Sequence, residues 1–213
     1  MRSSEPKQFR QCGDESYVAG RHDWQFGWYN YIAANLVKDK SILDVGCGLA
    51  NSHVEFFNGG ASYVLGIDID PRIATNKSVC EQHEFNNIRI EDIPNSSFDL
   101  VVAIDVIEHV VEDITFYQEL IRCAKHEIFI TSPNYWHTKN TWPYHCREYK
   151  PEEFTHLCLS YSTKESKCWF YGCRDLNGYD LIPRQKFLIG YTGQHLSVLG
   201  CHIILHKSDF EDK

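Results

Sequence analysis

The chain has no hydrophobic run approaching the ~20 apolar residues that cross a bilayer. Its opening, "MRSSEPKQFR", lacks the apolar core of a secretory leader. The expectation is a cytoplasmic protein with no membrane insertion. Its nine cysteines include no Cys-x-x-Cys pair. The odd count argues against a disulfide framework and for reduced thiols filling small apolar sites. A zinc site built from Cys158, Cys168 and Cys173 near His156 is the weaker alternative. Basic clusters are scarce: Arg184 to Lys186 is the densest, and the formal net charge is −8. Nucleic acid, which rewards clustered Lys and Arg, is therefore disfavoured as a partner against a small molecule or carbohydrate. Internal repeats and low-complexity segments are missing too.

What is present is ordinary globular composition, 43% hydrophobic and 23% charged over 213 residues, enough for one domain with a substantial core. Trp28, Ile32 and Leu36 recur at helical spacing within 27–38. "SILDVG" (41–46) reads as a strand, and "HVEFFNGG" as a helix that Gly59-Gly60 stops. "SYVLGIDI" (62–69) is a second strand. Asp70 and Pro71 read as the N-cap and first position of a helix running to about Phe85. "NIRI" (87–90), "FDLVVAI" (98–104) and "HEIFITS" (126–132) follow as strands, with a helix over 112–125. Pro151 opens a short helix, and 168–173 and 201–207 read as late strands, while 174–198 is left unassigned. Strands alternating with helices, without hairpin turns, predict a doubly wound, mostly parallel α/β sheet.

In such a sheet, ligands bind beyond the carboxyl ends of the strands, beside strand one. That strand ends in "LDVGCGLA", where Gly46 and Gly48 allow a sharp turn and close approach of a ligand. A dinucleotide fingerprint would need a third Gly where Asn51 stands, and Asp44 would repel a pyrophosphate. A carboxylate at 44 suits a cationic ligand group. Asp68, ending strand two, can accept both hydroxyls of a ribose, and Asp92 can accept from an adenine amine. Each acid alone is common turn chemistry. Their order describes S-adenosylmethionine better than a nicotinamide cofactor.

The segments "ILDVGCGLA", "VLGIDID", "EDIPNSSFDLVVAIDVIEHV" and "ITSPN" resemble, in order, the motifs of class I S-adenosylmethionine-dependent methyltransferases. The likeness covers residues 41–134. It implies a Rossmann-like, seven-stranded sheet whose last strand is antiparallel, within a single domain over 1–213. Residues 1–40 would form a cap and helix, 41–134 the cofactor-binding core, and 135–213 a substrate-side loop with the C-terminal strands. It implies ribose binding by Asp68 and an adenine contact by Asp92, with Glu91 competing for that role. Asp44, Gly46, Gly48, Ile69, Ile93 and Ile104 complete the expected cofactor-binding set. Ala50 takes the third small position of the glycine motif.

Beyond strand four, Asp105, Glu108 and His109 stand at i, i+3 and i+4, which shares one face if the chain is helical there. Oxygen ligands with one imidazole suit Mg²⁺ or Mn²⁺ better than zinc. The stretch resembles the Glu-x-x-Glu-His motif of ubiquinone-pathway O-methyltransferases and small-RNA 2′-O-methyltransferases, with Asp105 in place of the first Glu. In the RNA group a further His follows later, and His145 in "YHCREYKPEEF" occupies a matching position. The expected metal set is thus Asp105, Glu108, His109 and His145, with His145 or His137 as proton acceptor. The competing reading has Glu108 bracing the turn and His109 packed. Trp136, Trp142 and Tyr144 form an apolar floor or a packed loop, and Tyr17, Arg21 and Trp24 are candidates to close over the cofactor. These features point to methyl transfer onto a hydroxyl of a small molecule or glycan precursor. RNA 2′-O-methylation, a non-catalytic cofactor-binding module and a dehydrogenase are the alternatives.

Overall fold

In a computed structural model that describes residues 21–49, 53–160, 167–173, 181–184 and 198–205, the architecture builds outward from a central strand. Tyr17, Ala50, Asn51, Lys186 and the rest of 185–197 lie outside the described residues, as do the side chains of Arg21, Trp24, Cys168 and Cys173. Strand β1 (Ser41–Val45) pairs in parallel with β2 (Tyr63–Ile67) on one side and β4 (Phe98–Ala103) on the other. Strand β3 (His83–Asn86) extends the sheet beyond β2, and β5 (Ala124–Pro133) extends it beyond β4, all in parallel. Strand β8 (Val198–Ile204) then runs antiparallel to β5 and separates it from β6 (Lys167–Cys173), whose outer neighbour is β7 (Leu181–Arg184). The order is β3-β2-β1-β4-β5-β8-β6-β7.

The continuous apolar runs of β1 and β4 follow from burial on both faces. Ile42, Leu100 and Val102 point to one side, where they pack with Trp28, Ile32 and Phe56 of helices α1 (Arg21–Asn35) and α2 (His53–Asn58). Leu43, Val101 and Ala103 point to the other, against Tyr117, Leu120 and Ile121 of helix α3 (Asp113–Cys123) and Phe154 and Leu157 of helix α5 (Pro151–Ser160). A short helix α4 (Tyr135–Thr138) follows β5, capped by the Asn134 side chain on the Trp136 amide. Among the described residues no helix is long and apolar enough to cross a membrane, and Cys158, like Cys47, Cys80, Cys123, Cys146 and Cys201, takes part in no disulfide.

The fold class agrees with expectation, and the antiparallel strand lies where the resemblance implies. Three details differ. The sheet has eight strands rather than seven, because β7 adds a hairpin partner to β6 inside the segment left unassigned. The helix expected to run to Phe85 is one 3-10 turn, Pro71–Thr75. Its start is as predicted, with the Asp70 carboxylate accepting the Arg72 amide at 2.9 Å. From Pro71 to Gln82 Ile73 alone is buried, and Val79 is 57% exposed, so a helix would have had no face to pack. The third strand therefore begins at His83, ahead of "NIRI". Finally, the chain after Ile104 does not become an α-helix: Asp105 is left-handed, at φ 53°, and a single 3-10 turn covers Ile107–His109.

Candidate active site

The glycine turn follows directly from β1. Gly46 and Gly48 have φ of 71° and 55°, a region that L side chains rarely adopt. A Cβ on Gly46 would lie 2.6 Å from Val106. The Gly46 and Cys47 amides both donate to the Ile67 carbonyl, at 2.8 and 3.1 Å, which ties the turn to the end of β2. Asp68 completes that tie. One of its oxygens accepts the Gly48 amide at 3.0 Å and the other the Asp70 amide at 2.9 Å. Its carboxylate is therefore fixed at the carboxyl edge of the sheet, half-exposed. Beside it Ile69 is 65% exposed, an apolar surface next to Asp68.

Other expected cofactor residues sit differently. Asp44 is wholly buried, so it does not form a ligand-facing wall. Its Oδ2 accepts from Tyr29 OH at 2.9 Å and from His53 Nε2 at 2.6 Å. The reason is its place in a strand paired on both sides, beneath the turn. Ile93 is 4% exposed and its amide closes a 3-10 turn on the Ile90 carbonyl at 3.1 Å, so its side chain serves the core. Ile104 is likewise in the core, with its carbonyl accepting from Gln25 at 3.4 Å. Of the two acids competing for an adenine, Glu91 is engaged by the Arg89 guanidinium at 2.8 Å, which holds its carboxyl below the usual range. Asp92 is exposed, and one of its oxygens accepts the Arg89 amide at 3.2 Å.

On the acceptor side, Glu108, His109 and His145 each offer a ligand atom, all within 4.8 Å of one another. Two segments supply them, and backbone bonds join these. The Cys146 and Arg147 amides both donate to the Glu108 carbonyl, at 2.7 and 3.1 Å. His109 Nδ1 lies 3.1 Å from the Tyr144 carbonyl, and His145 Nδ1 lies 2.6 Å from Glu148 Oε1. Both partners are acceptors, so each ring carries a proton on Nδ1, which leaves Nε2 as the lone-pair nitrogen of the neutral imidazole. Glu148 is itself buried and fixed by the Thr138 hydroxyl and by the Asn140 amide at 2.6 Å. One buried carboxylate with two imidazole Nε2 atoms is a donor set that fits a divalent transition ion, and fits Mn²⁺ better than the harder Mg²⁺.

Asp105 does not join this group. The expectation rested on helical spacing; with a left-handed residue at 105, its Oδ1 instead accepts the Thr131 hydroxyl at 2.6 Å. His137 stands exposed on α4 and is not part of the cluster. Trp142, 47% exposed, lies against both Tyr144 and His145, with ring centroids 5.8 and 6.4 Å apart. Trp136 is covered by Lys139 and Lys150, at 4.5 and 5.2 Å from its centroid. Sequence reasoning missed Glu148, whose one visible signal is its position three residues after His145. It also missed His53 and His83, whose meeting no local spacing announces.

A parallel sheet with a glycine turn, an acid fixed at the end of β2 and an inserted antiparallel strand defines a Rossmann-like fold. A family profile described as "Methyltransferase domain" matches residues 43–130. Over this segment, about two fifths of the chain, the protein is similar to the class I S-adenosylmethionine-dependent methyltransferases. It is 37% identical over 92 residues to a ubiquinone biosynthesis O-methyltransferase of Rhodopseudomonas palustris (strain TIE-1), a match covering 39% of this chain and 34% of that one. The chain thus spans about a third of this curated relative. Among solved structures, a methyltransferase of Aquifex aeolicus superposes with a TM-score of 0.62 at 14% identity, covering 90% of this chain and 96% of the other. The Pnkp1/Rnl/Hen1 RNA repair complex contains a chain that superposes with a TM-score of 0.61 at 19% identity, over 85% of this chain and 42% of that one.

Proposed function

We propose that the protein transfers the methyl group of S-adenosylmethionine to a hydroxyl of a small molecule or glycan precursor, with a divalent cation at the acceptor. The observation that carries this reading is the convergence of Glu108, His109 and His145, both rings with Nε2 as the lone-pair nitrogen. The glycine turn would lie along the methionine part of the donor, Asp68 would hold the ribose hydroxyls, Ile69 would cover the adenine and Asp92 would accept from its amine. The acceptor oxygen attacks the methyl carbon in line, the carbon–sulfur bond breaks, and its electron pair stays on sulfur. Glu108, His109 and His145 would hold the ion, which when bound lowers the pKa of the acceptor hydroxyl so that its proton is lost to water. Glu148 keeps His145 in the tautomer this requires, and the aromatic wall of Trp142 and Tyr144 orients the acceptor and excludes water.

RNA 2′-O-methylation is the second reading. What favours it is His145 beside Glu108 and His109, the later His of the small-RNA group. The net charge of −8 weighs against it. Incubation with methyl-labelled donor and either a metabolite extract or total RNA, with chelator and with added Mn²⁺, separates the readings. Label in the small-molecule fraction, lost with chelator and restored by Mn²⁺, is expected. Full activity in chelator overturns the cation and leaves the His145–Glu148 pair as proton acceptor. Label confined to RNA overturns the acceptor class.

A further inference from the structure

Beneath the glycine turn runs a chain of hydrogen bonds that the methyl-transfer chemistry above does not use. The Val79 amide donates to His83 Nδ1 at 3.2 Å. His83 Nε2 lies 2.9 Å from His53 Nδ1, and His53 Nε2 lies 2.6 Å from Asp44 Oδ2, which also accepts from Tyr29 OH. An amide can only donate, so His83 Nδ1 is the acceptor and its proton sits on Nε2. That proton goes to His53 Nδ1, and His53 in turn donates from Nε2 to the carboxylate. Every tautomer in the chain is thereby determined, and both rings are neutral. His53 and His83 are 0% and 3% exposed. Burial and the neighbouring His53 push His83 down to about 4, which keeps it neutral at physiological pH.

The fold makes room for this chain. A Cβ on Gly66 would fall 2.9 Å from His53 Cε1 and 2.8 Å from Cys47 Sγ. His53 stacks on Phe85 at 5.5 Å and 4°, and on Phe56 at 5.6 Å and 20°. The titratable groups facing the two rings are Asp44, Tyr29 and Cys47. Asp44 Oδ1 is buried and accepts no hydrogen bond among the described residues, and no cationic side chain is bonded to either oxygen there.

We infer that His53 and His83 are positioning residues for the methyl donor: a relay of two neutral imidazoles holds Asp44 as an oriented carboxylate under the Gly46–Gly48 turn, where its negative charge acts on the cationic methionine end of the donor. Asp44 acts through space, since it is sealed from direct contact. The relay determines its orientation and prevents a proton on His53 from cancelling its charge.

The test uses the full chain and needs no acceptor. Imidazole nitrogen NMR at pH 7 should show both rings neutral with the proton on Nε2; a proton on Nδ1 of either, or a charged ring, overturns the relay. Calorimetry with S-adenosylmethionine from pH 5.5 to 8 gives the second readout. His83→Phe keeps the ring packing and removes the donor to His53. Donor affinity should fall about tenfold and become pH-dependent across this range. His83→Gln, able to accept from Val79 and donate to His53, should bind as the parent does. If His83→Phe lowers Tm but leaves the affinity and its pH profile unchanged, the histidines are structural and the inference falls. Failure of the acceptor reading would leave all of these measurements untouched.

Discussion

Besides its backbone bonds to Glu108, the loop that carries His145 and Glu148 is tied to the body of the protein by a buried ion pair, and replacing Arg147 with Met tests how firmly. Arg147 and Asp113 are 3% and 2% exposed. The guanidinium binds Asp113 Oδ2, which also accepts from Tyr149 OH at 2.8 Å, while the Ile114 amide donates to Oδ1 at 2.9 Å. Burial works against charge on Arg147, and Asp113 outweighs it, so the guanidinium stays above its ordinary pKa. Removing Arg147 leaves a buried carboxylate without its guanidinium, beside the neutral donors Tyr149 OH and the Ile114 amide. A buried charge stripped of its partner costs about 3–5 kcal/mol. Unfolding entropy of about 2.1 cal/mol/K per residue, over 213 residues, converts about 4 kcal/mol into a fall in Tm of about 9 °C. Urea unfolding at pH 7 and calorimetry both read this. The double variant Arg147→Met/Asp113→Leu removes both charges and should recover at least half of the loss. A single-variant cost below about 1 kcal/mol, or a double-variant cost equal to the sum of the two singles, would refute the argument.

Three further outcomes follow from the same geometry. His83 sits at about 4 when folded against an ordinary 6.5, so the unfolded chain binds the extra proton first. Its contribution is complete above pH 6.5 and is lost as pH falls towards 4, amounting to roughly 3 kcal/mol. Urea midpoints measured from pH 7 to 4 should fall for the parent and flatten for His83→Phe. Gly66→Ala puts a Cβ within 2.9 Å of His53 and Phe85 ring atoms, and should cost about 1–3 kcal/mol in urea unfolding. Asp68→Ala should weaken S-adenosylhomocysteine binding at least tenfold by calorimetry, since it removes both the proposed ribose acceptor and the brace on Gly48.

Strand β1, the glycine turn and strand β2 were legible because their chemistry is local: short apolar stretches stand at strand spacing, then glycines where the backbone must be left-handed. The helix predicted after Asp70 shows the limit of such signals. Its cap and proline are where they should be, yet a helix also needs a surface to bury against, and residues 74–82 meet none. Asp105 misled for a related reason. The i, i+3, i+4 pattern presumes helical backbone, whereas Thr131, 26 residues on, draws that carboxylate away. His145 was found only through its likeness to a family motif. Its partner Glu148 and the pairing of His53 with His83 depend on tertiary contacts that no periodicity encodes.

The place of β8 has a consequence for how the chain assembles. Residues 198–204 must slide between β5 and β6, because β6 and β7 are joined to the rest of the sheet only through β8. Until they do, β5 presents an open edge along Glu127–Pro133, including Ile128, Phe129 and Ile130, all of which end fully buried. Pairing across so long a separation is slow, and an unpaired apolar edge is a template for association with other chains. A nascent chain that ends before residue 198 therefore holds the β1–β5 half of the sheet nearly complete beside an adhesive border. Closing that border is the step that removes a template for self-association.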